Sequence, residues 1–172
     1  MNLEKALLQK HSKHQTIAIA KWIGNDKERF EQIVNLFKSG NSKICQRAAW
    51  VLGHIEPQNL NIIKPHLFAF LNMLDLNVQD AVKRNIVKTL ESIDIPENLI
   101  GIAADKCFKL LASPDEAIAI KVYCMSVLYT ICKKEPELKN ELKLLIEEEL
   151  RFGGAAIKSR GNKILNLLKK FK

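Results

Sequence analysis

Apolar side chains recur along the chain at intervals of three and four residues, and no stretch alternates apolar and polar positions with period two. That pattern predicts helices over residues 3–10, 12–24, 26–39, 42–56, 64–75, 78–93, 96–112, 114–133, 136–150 and 155–172. Local start signals agree with it. Ser12 followed by Gln15 has the spacing of a capping box ahead of the apolar run that begins at Ile17. Ser113-Pro114-Asp115-Glu116 offers a cap, a proline for the first helical position and acids for the first turn. Pro96, Pro114 and Pro136 each open a helical stretch, and Pro57 and Pro65 flank a short connecting piece. Each proline is therefore expected at a boundary and none within a helix.

The ten expected helices fall into five pairs, and the pairs repeat. Phe37, Leu74, Leu111 and Leu150 close alternate helices at separations of 37, 37 and 39 residues. Arg47, Arg84, Lys121 and Arg160 on the partner helices keep the same separations. Ile44, Ala81, Ile118 and Ile157 form a third set in that register, small or apolar each time, three residues before the basic position. A two-helix unit of about 40 residues cannot bury its own apolar face and has to stack on its neighbours. The expectation is an all-α protein with one repeat domain over residues 1–172, its units near 1–25, 26–63, 64–95, 96–134 and 135–172.

On this period and pairing, and on segments such as Gln46-Arg47-Ala48-Ala49-Trp50-Val51-Leu52-Gly53, Ala81-Val82-Lys83-Arg84-Asn85, Ala119-Ile120-Lys121-Val122 and Lys158-Ser159-Arg160, the chain resembles the HEAT/armadillo-like repeat family, short bacterial HEAT-like proteins among them. The resemblance implies a right-handed α-α superhelix, a HEAT-like solenoid of about five helical pairs, whose second helices line a concave face and which serves as an interaction scaffold. One departure stands out. HEAT units often carry an Asp about six residues before the repeated Arg, and here only Asp115 does so, before Lys121.

Composition narrows the class. With 47% hydrophobic residues, seven Gly and five Pro in 172, the chain has enough apolar surface for a sizeable core. No apolar run approaches the ~20 residues of a membrane-spanning helix, and the N-terminus shows no secretory pattern, so a cytoplasmic location is expected. Cys45, Cys107, Cys124 and Cys132, scattered among apolar neighbours without a CxxC pair, read as reduced core thiols. The net charge of +8 is unevenly spread: residues 151–172 carry seven basic side chains and no acid, residues 1–25 four against one, and residues 26–150 16 against 18. Ile157, Gly161, Ile164, Leu165, Leu168 and Phe171 make an apolar stripe on that basic C-terminal segment. It reads as a capping helix with a polar outer face, the alternatives being contact with phosphates, an acidic partner or an anionic membrane surface.

The basic ladder of Arg47, Arg84, Lys121 and Arg160 is the main candidate site, because equivalent positions on successive second helices fall in one stripe, and a row of cations suits an anion. His54, Lys88 and Lys163 lie one or two turns further on, and Trp50 offers an aromatic surface for stacking or cation–π contact. The alternative is structural: repeated cations can bond carboxylates or helix-end carbonyls of the adjacent repeat, and Trp50 can be core. His11 and His14 stand three apart but have no third ligand at a metal-binding spacing, and Glu147-Glu148-Glu149 reads as a solvated helix end. There is no GxSxG, GxGxxG or GxxxxGK[ST] loop and no strand for one to follow. Nor do acids and aromatics combine as in the HEAT-like DNA-alkylation-repair glycosylases. The expected function is a non-enzymatic scaffold, without cofactor or metal, that binds an acidic or amphipathic protein segment along the concave face; the alternative is sequence-nonspecific nucleic-acid binding through the ladder and the last helix.

Overall fold

Short polar side chains start the first four helices. In the computed structural model, which describes residues 1–170, Asn2 caps α1 (Leu3–Gln9), Ser12 caps α2 (Lys13–Ile23), Asp26 caps α3 (Lys27–Phe37) and Asn41 caps α4 (Ser42–Leu52). In each, a side-chain oxygen accepts a backbone N–H of the first turn at 3.0–3.2 Å. The box at Ser12 closes on one side only. Gln15 turns away from the cap and donates from Nε2 to Ala6 O at 3.2 Å, tying α2 to α1.

The remaining elements are a 3-10 segment (Pro57–His66), α5 (Leu67–Met73), α6 (Asp80–Ser92), α7 (Glu97–Ala112), α8 (Ile118–Cys132), a 3-10 turn (Pro136–Leu138), α9 (Lys139–Phe152) and α10 (Ala155–Leu168). The described residues thus contain ten α-helices and no strand, as the hydrophobic periodicity requires. Phe171 and Lys172, the expected end of the last helix, lie outside the described residues.

Three boundaries differ from expectation. The segment before α5 is 3-10 rather than α, and Pro65 sits inside it: a ring that removes an N–H and crowds the preceding turn is tolerated in this tighter, less regular helix. Ser113 is not an N-cap, because its N–H closes α7 on Lys109 O at 3.1 Å. Residues 113–117 then form a turn in which Glu116 accepts its neighbour Ala117 N, and α8 starts at Ile118. Pro136 opens a 3-10 turn, and α9 follows it.

The described chain divides into two compact units, Met1–Ile95 and a second from Pro96 onward. In the first, α4 packs against α1, α2, α3 and α6, with Phe37 and Phe70 edge to face at 5.2 Å between ring centroids. In the second, α8 packs against α7, α9 and α10 and is apolar on nearly every side. Fully buried Ile, Leu and Phe side chains of this kind each contribute about 1.5–3 kcal/mol. All four cysteines are free and buried, and burial pushes the Cys132 thiol up to about 11.

Two glycines make opposite predictions. A Cβ at Gly153 would meet the Ile157 side chain and lie 2.6 Å from Glu149 O, a backbone atom that cannot swing aside. Gly153→Ala should therefore cost about 1–3 kcal/mol in urea unfolding. Gly101, exposed within α7 with nothing inside 4 Å of its Cβ position, should gain ~0.5–1 kcal/mol as Gly101→Ala. Equal effects of the two substitutions would contradict this packing.

Candidate binding surface

Arg47, Arg84, Lys121 and Arg160 stand on α4, α6, α8 and α10, the second helix of each pair. Their surroundings differ. Arg47, half-buried, donates from Nη1 to Leu7 O, one of the carbonyls that the short α1 leaves without an intrahelical partner. Arg84 is exposed and has no hydrogen bond or carboxylate partner among the described residues.

In the second unit, Lys121 is buried, its Nζ 2.7 Å from Glu149 Oε1, with side chains 7% and 21% exposed. This corrects the expectation that Glu147, Glu148 and Glu149 form a solvated helix end: Glu147 and Glu148 are exposed, whereas Glu149 faces α8 because the buried ammonium needs a counter-charge. Arg160, half-buried, donates to the hydroxyl of the buried Ser126 on α8, and Lys163 is exposed one turn further along α10.

The first unit gathers more of the expected residues. Lys88 donates from Nζ to Gly53 O at 2.9 Å, placing a cation on the carbonyl end of α4, where the helix dipole favours it. His54, next to Gly53, bonds through Nδ1 to Trp50 O at 2.8 Å and sets its ring edge-on to the Trp50 indole, 5.9 Å between centroids. The His11 ring also meets Trp50, at 4.8 Å between centroids. Trp50 is half-buried and touches two imidazoles. Burial holds the Lys88 ammonium below the ordinary lysine range; Arg84 and Lys13 push the same way, and Glu91 opposes them. Lys88, Arg84 and Lys13 form a cationic group that repels itself.

His11 and Lys13 belong to this surface although the helical spacing did not point to them. His11, three residues from His14, packs on an indole, and among the described residues no three His, Cys, Asp or Glu side chains are grouped to hold a metal ion. Only the packing of α2 against α4 could have revealed the contact. No described helix is long and apolar enough to cross a membrane.

Helices that pair along the chain, with cations of the second helices bonded to other helices of the same unit, define a helical-repeat protein. The family model of the HEAT repeat domain matches residues 3–168, and the chain belongs to that family. HEAT repeats serve generally as protein-interaction scaffolds. No curated protein and no solved structure is detectably similar to the chain.

The buried pair supplies a test of its role. Lys121→Met strands the Glu149 carboxylate and should cost about 3 kcal/mol in denaturant unfolding, whereas Lys121→Met with Glu149→Leu should recover most of that loss. A double variant as unstable as the single one would show that the charges themselves, and not the stranding, matter.

Proposed function

We propose that the chain is a non-catalytic scaffold that binds an acidic segment of a partner protein on the α2–α4–α6 surface of the first unit. The observation that carries this reading is Arg84: an exposed guanidinium without a carboxylate partner among the described residues, beside a lysine whose charge its neighbours disfavour. A carboxylate between them would relieve that repulsion, and a guanidinium can hold one through two parallel hydrogen bonds. Trp50, flanked by His11 and His54, offers an amphipathic surface for apolar side chains of the same segment. Arg47 ties α4 to α1 through its bond to Leu7 O and so helps hold the helix that carries Trp50.

Nucleic-acid binding is the second reading. It draws on α10 and its ends, where Arg151, Lys158, Lys163, Lys169 and Lys170 are exposed and no acid lies between them in sequence. Lys121 and Arg160 add less to it, since each is engaged within the second unit.

Fluorescence anisotropy with a labelled Glu/Asp-rich peptide carrying interspersed Leu and Trp separates the two readings. Arg84→Glu combined with Lys13→Glu should weaken binding by at least about tenfold, about 1.4 kcal/mol, without moving the melting temperature, because both side chains are exposed. Unchanged affinity in that variant would remove the acidic-segment reading. A mobility shift of duplex DNA whose affinity falls steeply with salt, by about 0.9 log units per log unit for each neutralised phosphate, would favour the second reading.

A further inference from the structure

Arg84 and Lys88 stand one turn apart on α6, so they are neighbours on one face of that helix. Lys13 opens α2, and α2 and α6 both pack against α4. The three cations meet at Lys88, whose ammonium feels both Arg84 and Lys13 and is fixed 2.9 Å from Gly53 O. That bond uses one of three N–H groups and leaves two as donors. Arg84 and Lys13 are exposed, and the side chain of neither makes a hydrogen bond or an ion pair among the described residues.

The acids nearby leave this group positive. Glu91, less than a turn beyond Lys88 on α6, is the carboxylate that acts on its ammonium. Asp80, one turn before Arg84, makes no ion pair with it and lies in the first turn of α6, where the helix dipole already favours an acid. Lys13 has the reverse setting. No acid stands in the first turn of α2, and the ammonium sits at the positive end of that helix dipole. Three cations against the one carboxylate of Glu91 leave two positive charges uncompensated.

A side-chain carboxylate offers one negative charge and two oxygens in a plane. A phosphate monoester offers about −1.5 to −2 charges at neutral pH and three terminal oxygens. A guanidinium holds two such oxygens through parallel hydrogen bonds, and an ammonium meets another as a point charge. Cations arriving from two helices therefore match the phosphoryl group in charge and in the number of its faces. Trp50 is close at hand, because its carbonyl holds His54 and the next residue back, Gly53, holds Lys88.

We propose that the acidic segment bound by this surface carries a phosphorylated serine or threonine, its phosphoryl group held by Arg84, Lys88 and Lys13 and an apolar side chain beside it set on Trp50. The inference rests on the acidic-segment reading above and narrows it to one ligand class. It also makes binding conditional: with the hydroxyl unmodified, the segment lacks the dianion that quiets the three cations.

The probe is the labelled Glu/Asp-rich peptide with interspersed Leu and Trp, made in three forms that carry phosphoserine, Glu or Ser at one central position, and titrated with the full chain by anisotropy. The phosphoserine form should bind at least about fivefold tighter than the Glu form, and the Ser form more weakly than either. In Arg84→Gln combined with Lys13→Gln the advantage of phosphoserine over Glu should fall below about twofold. Both side chains are exposed, so the melting temperature should match the wild type. A wild-type advantage below about fivefold, or one that stays above about twofold in the double variant, overturns the proposal. The acidic-segment reading is judged separately, by whether the Glu form binds and loses affinity in Arg84→Glu combined with Lys13→Glu. Duplex DNA that binds the wild type more tightly than the phosphoserine peptide, and loses that affinity in the double variant, would assign the three cations to a nucleic-acid backbone and overturn the proposal as well.

Discussion

Covering the apolar faces of α4 and α8 is the interaction on which the rest of the structure depends. Each of these helices packs against at least three others in its unit; α4 buries one broad apolar face, and α8 is apolar on nearly every side. Helices of eleven and fifteen residues are marginal alone, so they persist because their neighbours bury them. The pairing of first and second helices, the stacking of second helices within each unit, and the placing of prolines in connections all follow from that need.

Polar contacts then choose among the ways in which such helices could stack. Arg47 to Leu7 O, Lys88 to Gly53 O and Arg160 to Ser126 each join a second helix to another helix of its unit. A net hydrogen bond contributes about 1 kcal/mol, somewhat more with a charged partner, against about 1.5–3 for each buried large side chain. The apolar core therefore decides whether a unit folds, and the cations decide its register, since a donor left without its carbonyl in a half-buried place is costly. Lys121 and Glu149 are an extreme case: the cost of bringing both out of water offsets much of their attraction, whereas removing one partner strands the other.

The same logic separates structural cations from those available to a ligand. Cations that reach a helix-end carbonyl or a buried partner are consumed by the fold. Arg84 sits at the equivalent position of its own repeat and reaches neither among the described residues, so its charge is left to solvent and to whatever anion approaches. One motif position thus serves cohesion in some repeats and stays exposed in another.

The helical periodicity, the roughly 37-residue register and the placement of four cations on second helices are all properties of neighbouring residues along the chain, and the sequence alone determined them because apolar spacing and capping chemistry are local. What the cations meet is not local. Arg47 and Leu7 are 40 positions apart, Lys121 and Glu149 28, and the contact of His11 with Trp50 needs two helices laid side by side. The helix starts at residues 118 and 139 were likewise set by competition for backbone groups: Ser113 is spent on closing α7, and Pro136 yields only a 3-10 turn. Only the tertiary structure decided which charges were neutralised, that Glu149 turned inward while Glu148 stayed out, and that Ile118 and Phe152 remained uncovered, because burial and charge pairing depend on what packs across the chain and not along it.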